Sequence, residues 1–123
     1  MTIYQEIILD HYHNPHNYGD LDDPQADVSV SNSSCGDKIR LTLKVEKDVI
    51  TDVAFSAVGC AISMASASLL TDHVNHTSVT EVKKIKKEEL LALIGIELSP
   101  SRLRCALLPL EALSKAVQSL DNQ

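Results

Sequence analysis

Three cysteines and one aspartate are the residues of this chain best suited to chemistry. Cys35, Cys60 and Cys105 each lie at a break between predicted secondary-structure elements, and Asp37 follows the first of them in Cys35-Gly36-Asp37. Thiolates are typical ligands of zinc, iron and iron-sulfur clusters, and a carboxylate completes a set of four. The residues therefore predict a tetrahedral metal site assembled from three distant segments, whether for zinc, iron or a cluster.

The surroundings of the cysteines favour this site more strongly than their spacing does. Intervals of 24 and 44 residues separate successive cysteines and differ from those of a zinc finger. A lone cysteine is most often a small buried hydrophobic residue. However, a glycine adjoins Cys35 and Cys60, and Cys105 lies near a predicted helix start just after Arg102 and Arg104, where negative charge is favoured. Because Asp37 is a more exchangeable ligand than a fourth thiolate, the set favours transfer over permanent storage.

A group of histidines near the N-terminus is a weaker candidate. His11 and His13 would point about 200° apart on a helix, so we do not expect His11, His13 and His16 to form a second metal site.

Length, composition and charge exclude several classes of function. The 123 residues predict a single domain, 1–123, and the odd number of cysteines without a leader-like N-terminus predicts a reducing, cytoplasmic location. The formal charge of −6 argues against nucleic acid as a partner. No stretch approaches the roughly 18 apolar residues that span a membrane.

Hydrophobic periodicity predicts the elements that must position the site. Apolar residues at helical spacing follow the cap residue Thr2, and this pattern ends at Asn14-Pro15. Alternation of apolar and polar residues predicts three strands, of which the last two are joined by a turn at Lys47-Asp48. The order predicts an α+β fold in which a three-stranded antiparallel sheet packs against helices. The predicted helices are residues 2–13, 61–70, 79–84, 87–94 and 99–120, and the predicted strands are residues 27–33, 38–46 and 49–58.

Two of these helices have unusual compositions. Alanine and serine dominate residues 61–70, which permits close packing against a neighbouring element. Pro109 is best tolerated near a helix start, so we expect the regular part of the last helix to begin near Leu107 or Leu108.

Five groups of residues are arranged as in a known family. They are Tyr4-x-x-x-Ile8 with Asp10-His11-Tyr12, then Asn14-Pro15-His16-Asn17-x-Gly19, Cys35-Gly36-Asp37, residues 59–68, and Arg104-Cys105-Ala106-Leu107. These motifs cover almost the whole chain and resemble the NifU-like scaffolds of iron-sulfur cluster assembly, whose branches include IscU and SufU. The resemblance implies a SufE/NifU-like α+β fold and makes Cys35, Asp37, Cys60 and Cys105 the metal ligands.

The branch of the family is indicated by mixed features. An arginine, Arg104, precedes Cys105 where IscU-type members have histidine, and the IscU-type chaperone-docking motif is missing from the stretch ahead of it. Both features resemble SufU and make chaperone docking of the IscU type unexpected. The short interval between Cys60 and Cys105 instead resembles IscU, and His16 replaces a common arginine. We interpret the chain as a SufU-like protein of the shorter kind.

The resemblance implies that the protein accepts persulfide sulfur from a pyridoxal-phosphate cysteine desulfurase and supplies downstream apoproteins. Cys35 is then the first candidate acceptor, Zn²⁺ occupies the four-ligand site, and Arg104 stabilises thiolate or persulfide charge. Any enzymatic role is at most that of a sulfurtransferase. The alternatives are an IscU-like scaffold for a transient [2Fe-2S] cluster or iron, a structural zinc module used only for docking and, remotely, a cysteine hydrolase.

Overall fold

A three-stranded antiparallel sheet with helices forms the fold, which confirms the predicted class. The computed structural model describes residues 2–32 and 36–121. The strands lie in the order β1-β2-β3, and the helices precede and follow them along the chain. The elements are α1 Ile3–His13, β1 Ala26–Asn32, β2 Asp37–Glu46, β3 Val49–Val58, α2 Ala61–Val74, α3 Val79–Val82, α4 Lys87–Ile94 and α5 Pro100–Leu120.

The register of the sheet follows from a tight turn and from the alternation of buried and exposed side chains along the strands. Lys47 and Asp48 both have positive φ, at 53° and 65°, and join β2 to β3 in a two-residue hairpin as predicted. Leu41 then pairs with Phe55, and both side chains are buried in the core. The alternation thus directs one face of β2 and β3 toward the helices.

Helices α2 and α5 cover this face and contact each other closely. Both pack against strands, α5 against β1 and β2, and α2 against β3. The serines of α2 are buried, and at this interface Ser66 Oγ donates a hydrogen bond of 2.6 Å to the carbonyl of Ala106 in α5. The close packing expected from the small residues is therefore present.

The expected start of the regular part of α5 was wrong. This helix is regular from Pro100, with Ser99 as its cap, and Pro109 lies inside it. Pro109 is buried, as are Cys105 and Ala106 of the same helix. Burial of this long apolar face stabilises the helix by more than one missing hydrogen bond costs, which propensity alone does not anticipate.

The N-terminal helix is capped as expected, and the segment after it closes the sheet. Thr2 and Gln5 form a reciprocal capping box at the start of α1. Beyond α1, the backbone N–H of Gly19 donates to Phe55, and that of Phe55 donates to Asn17, at 2.7 and 2.9 Å. This segment therefore pairs with the outer edge of β3. In residues 2–32 and 36–121, no helix is both long and apolar enough to cross a membrane.

Candidate metal centre

Three of the four predicted ligands meet at one place. Asp37 begins β2, Cys60 precedes the first turn of α2, and Cys105 lies in the second turn of α5. One ligand atom from each of the three side chains lies within 4.8 Å of the others. Cys35, the fourth predicted ligand, lies outside the described residues. The sheet and its two covering helices therefore converge on a cluster of two thiols and one carboxylate.

Asp37 is a buried acid held at the end of a hairpin. It pairs with Asn32 across β1 and β2, and only 4% of its surface is exposed. The positive φ of Gly36, 75°, lets its N–H donate to the Asn32 carbonyl at 2.8 Å. Asp37 Oδ2 lies 3.8 Å from Cys60 Sγ. A buried carboxylate is costly unless a cation or donors compensate its charge, so this position suits a metal ligand.

Gly59 leaves the space that Asp37 occupies. A β-carbon at residue 59 would lie 2.9 Å from the carboxylate carbon of Asp37 and 2.6 Å from Ser63 Oγ. Since the backbone of Gly59 does not have positive φ, space rather than conformation explains the glycine here. The glycine lets the start of α2 approach β2 closely enough for Cys60 and Asp37 to share one site.

The two described cysteines differ in access. Cys60 is exposed, whereas only 5% of the surface of Cys105 is exposed. Cys60 occupies the N-cap of α2, and its thiol makes no capping hydrogen bond to the helix backbone. Unpaired N–H groups at this end of the helix favour negative charge. Cys60 can therefore be reached by a partner molecule, while Cys105 is suited to hold a ligand in place.

The donor set fits a borderline metal on the chemistry of the described residues alone. Two sulfurs and a carboxylate oxygen match zinc or iron, and calcium and magnesium prefer oxygen donors only. The buried acid and the glycine that accommodates it are both consistent with a cation at this point. A fourth donor or an exchangeable ligand would complete a tetrahedral site.

An apolar pocket of about 720 Å³ opens beside the two cysteines. Among the described residues that line this pocket, Arg102 is the basic one. Arg104 instead lines a different groove, beside Ser31 and Asn32. Both arginines were noted beside Cys105 in the sequence, but only Arg104 was given a role, although the spacing of three between Arg102 and Cys105 on a helix indicates a shared face. The lining residues are Gln5, Ile8, Leu9, Cys60, Ala61, Ile62, Ile96, Ser101, Arg102 and Cys105.

The N-terminal histidines are arranged differently from the expectation. His11 is buried and His13 is exposed, as their divergence on a helix requires. His16, however, returns toward His11, so that their ring centroids are 4.4 Å apart, and both lie beside Asp72 of α2. The structure thus groups His11 and His16 with Asp72, and His13 lies apart from them. Helical geometry separates His11 from His13, but His16 follows the turn that ends α1. The expectation that His11, His13 and His16 form no second metal site stays a prediction.

The comparisons with known proteins identify the family of the chain. The NifU-like N terminal domain family matches residues 3–123. The chain belongs to this family. That membership confirms the resemblance seen in the motifs, and the family match spans both described cysteines and Asp37.

Two curated relatives carry different names. Zinc-dependent sulfurtransferase SufU of Bacillus subtilis is 36% identical, over 94% of this chain and 90% of that protein. Iron-sulfur cluster assembly scaffold protein IscU of Streptococcus pyogenes is 35% identical, over 98% and 86%. The alignments have 133 and 139 positions, more than the 123 residues of this chain. Both relatives therefore contain residues that have no counterpart here.

A solved structure shows the same fold. A putative iron-sulfur cluster assembly scaffold protein for the SUF system from Fervidobacterium islandicum has a TM-score of 0.78, with 24% identity over 91% of this chain and 94% of that one. At this identity the likeness concerns the fold. It places the sheet and covering helices of this chain in an arrangement already seen among such proteins.

Proposed function

We propose that the protein acts in iron-sulfur cluster assembly by accepting persulfide sulfur from a pyridoxal-phosphate cysteine desulfurase. The observation that carries the proposal is the convergence of Asp37, Cys60 and Cys105 within 4.8 Å beside an open apolar pocket. The name of the Bacillus relative, a zinc-dependent sulfurtransferase, supports the same direction. Apoproteins that need sulfur or a cluster would be the recipients, without chaperone docking of the IscU type.

The transfer step is a thiol exchange. A thiolate of this chain attacks the outer sulfur of the desulfurase persulfide, a new sulfur-sulfur bond forms, and the desulfurase cysteine leaves as its own thiolate. Cys35 is the proposed acceptor. Among the described residues Cys60 carries the accessible thiol, so it is the residue to compare with Cys35 as an acceptor. Cys105 is buried and serves as a ligand rather than as an acceptor.

The pocket gives this step a place to occur. Its walls from α1, α2 and α5 are mainly apolar and can receive a loop of a partner protein at the two cysteines. A partner loop seated there would exclude water and so protect a persulfide from side reactions. The charge of Arg102 lies on the same wall and can stabilise an incoming persulfide anion, a role also proposed for Arg104.

Zinc is the proposed resident ion, held by Cys35, Asp37, Cys60 and Cys105. When bound, it keeps its cysteine ligands as thiolates, the form that exchange requires. Asp37 would be the most exchangeable of the four ligands, and the absence of a side chain at Gly59 leaves room for its carboxylate.

The test is desulfurase turnover with cysteine as substrate. Alanine release is followed with the wild-type chain, Cys35→Ala and Cys60→Ala, and alkylation with mass spectrometry locates the persulfide. We expect persulfide on Cys35 and loss of stimulated turnover in Cys35→Ala. Unchanged turnover and sulfur loading in Cys35→Ala would refute the transfer function and leave the structural docking module as the better explanation.

An IscU-like scaffold for a transient [2Fe-2S] cluster is the second candidate. The name of the Streptococcus relative favours it, and three thiols with one carboxylate also suit such a cluster as cargo. Anaerobic incubation with iron and sulfide, followed by visible absorption and transfer to an apo-ferredoxin, distinguishes the two. Formation of a cluster that the apoprotein accepts would support the scaffold function. Absence of such a cluster would support sulfur transfer alone.

A further inference from the structure

Two imidazoles from α1 and the turn after it meet a carboxylate in the second half of α2. One ligand atom each from His11, His16 and Asp72 lies within 4.8 Å of the other two. His11 is buried, and about half of the side-chain surface of His16 and Asp72 is exposed. The three residues come from α1, from the turn after it and from α2. This convergence joins segments that are 56 residues apart in sequence.

The cluster is separate from the candidate metal centre. Ser68 and Asp72 follow Cys60 by eight and twelve residues on the same helix. At a rise of 1.5 Å per residue, they lie about 12 and 18 Å along the axis from the cysteine. One ion cannot be shared between donors so far apart, and neither group of residues contributes a ligand to the other.

Neighbouring polar groups already hold the side chains of His11 and Asp72 and the backbone of His16 in position. Ser68 Oγ contacts His11 Nδ1 at 2.6 Å and accepts a hydrogen bond from the backbone N–H of His16 at 2.7 Å. Asn17 Nδ2 donates to Asp72 Oδ1 at 2.9 Å. Metal-binding imidazoles and carboxylates are commonly oriented by such outer partners. The arrangement therefore needs little reordering to bind an ion.

The protonation of His11 also suits ligation. Burial, followed by the nearby His16, lowers the pKa of His11, although Asp72 and Asp10 act in the opposite direction. A histidine must be neutral to bind a metal. The buried ring thus favours the form with a lone pair available.

We propose that His11, His16 and Asp72 form a second site, which binds a divalent first-row transition ion such as Zn²⁺ or Fe²⁺. Two imidazoles with one carboxylate are typical donors for these ions, and water would fill the remaining positions. Ion binding replaces the contact of 2.5 Å between His16 Nδ1 and Asp72 Oδ2. The exposed side chains of these two residues can move by the small distance that the closing of the site requires.

The first test counts bound zinc on the tag-free full chain. Wild type, His16→Ala, Asp72→Asn and the matched control His13→Ala are dialysed against Zn²⁺, and metal and protein are quantified by mass spectrometry and absorbance. Because His16 and Asp72 are exposed, both variants should fold, which circular dichroism checks. We expect each to bind one equivalent fewer than wild type and His13→Ala. Equal stoichiometry in all four proteins would overturn the proposal.

A second measurement identifies which residues bind the metal ion that the variants lose. Co²⁺ replaces Zn²⁺, and absorption reports whether thiolates are coordinated, since thiolate ligands add an intense near-ultraviolet band. We expect His16→Ala to lose cobalt absorption without a change in this band. Loss of the thiolate band instead would assign the missing ion to the cysteine site and overturn the proposal. The comparison of variants does not depend on whether the cysteine site transfers sulfur.

Discussion

The two ends of α2 hold two clusters of potential ligands that differ in almost every respect. At its start, Cys60 meets Asp37 and Cys105 at the edge of a pocket, and the acid is buried. In its second half, Asp72 meets His11 and His16 near the surface, and the acid is exposed. One set is dominated by soft sulfur donors and the other by nitrogen and oxygen.

The comparison shows how burial of a carboxylate determines how strongly a bound cation stabilises it. The buried Asp37 carboxylate has lost much of its hydration and gains strongly from a cation. Asp72 keeps contact with water and already pairs with His16 and Asn17, so a bound ion gains less there. We therefore expect tight binding at the thiol cluster and weaker, exchangeable binding at the imidazole cluster.

The largest effect should come from the removal of a thiol. Cys60→Ala is expected to weaken zinc binding at the thiol cluster by more than about 100-fold, since loss of outer partners alone costs about 10–100-fold. Competition with a chromophoric chelator measures the affinity. His16→Ala is the control and should leave this tight equivalent in place. If Cys60→Ala retained it, Cys60 would not be a ligand.

A smaller loss is expected when the space around Asp37 is filled. Gly59→Ala places a β-carbon 2.9 Å from the Asp37 carboxylate carbon, and the acid must move. We expect zinc affinity to fall by about 10–100-fold and the free energy of unfolding by about 1–3 kcal/mol. Chelator competition and urea denaturation measure the two effects.

The matched control for Gly59→Ala is Val58→Ala, a change at the exposed residue next to it. It should alter neither quantity appreciably. Unchanged zinc affinity in Gly59→Ala, with normal folding, would show that the position of Asp37 does not matter for metal binding.

Two buried serines of α2 offer a direct comparison of the clusters. Ser68→Ala removes the hydroxyl that contacts both histidines and should weaken the second zinc equivalent by about 10-fold. Ser63→Ala removes a 3.8 Å contact with Cys60 Sγ, so a change below about threefold is expected at the thiol cluster. Titration calorimetry measures both affinities. The reverse order of effects would contradict the assignment of these outer partners.

The smallest effect concerns the two arginines of α5. Arg102 lines the pocket of the cysteines, and Arg104 lines another groove. Arg102→Gln should slow sulfur transfer from the desulfurase by about two- to fivefold, as expected for an exposed charge, and Arg104→Gln should slow it less. Single-turnover persulfide transfer gives the rates. A larger loss in Arg104→Gln would support the role predicted from its place beside Cys105.

Much of the fold could be predicted because local patterns and tertiary packing agree. The alternation along β2 and β3, the Thr2 cap and the Lys47-Asp48 turn all act over a few residues. Pro109 is the exception, because helix propensity is local and the packing that overrides it is not. The buried contact of Ser66 with the Ala106 carbonyl has no signature in either segment taken alone.

The clusters show the same limit. Cys60 and Cys105 stood out because their residue type is rare and chemically suited to metals. Asp72 carried no such signal, and the histidines were set aside because His11 and His13 diverge on a helix. The direction of the chain after Asn14-Pro15, which brings His16 back toward His11, is fixed by contacts with α2 rather than by helical geometry. A search for histidines on either side of a helix-ending proline would have found His11 and His16 together.

The segment that seals β3 has a consequence for how the protein behaves in concentrated solution. Asn17 and Gly19 satisfy the backbone groups of Phe55 that would otherwise be open to another chain. Displacement of this segment would present an unprotected strand edge, a template for self-association. Since His16 is part of the same segment, an ion held there would also guard the protein against aggregation, and chelation would lower its colloidal stability.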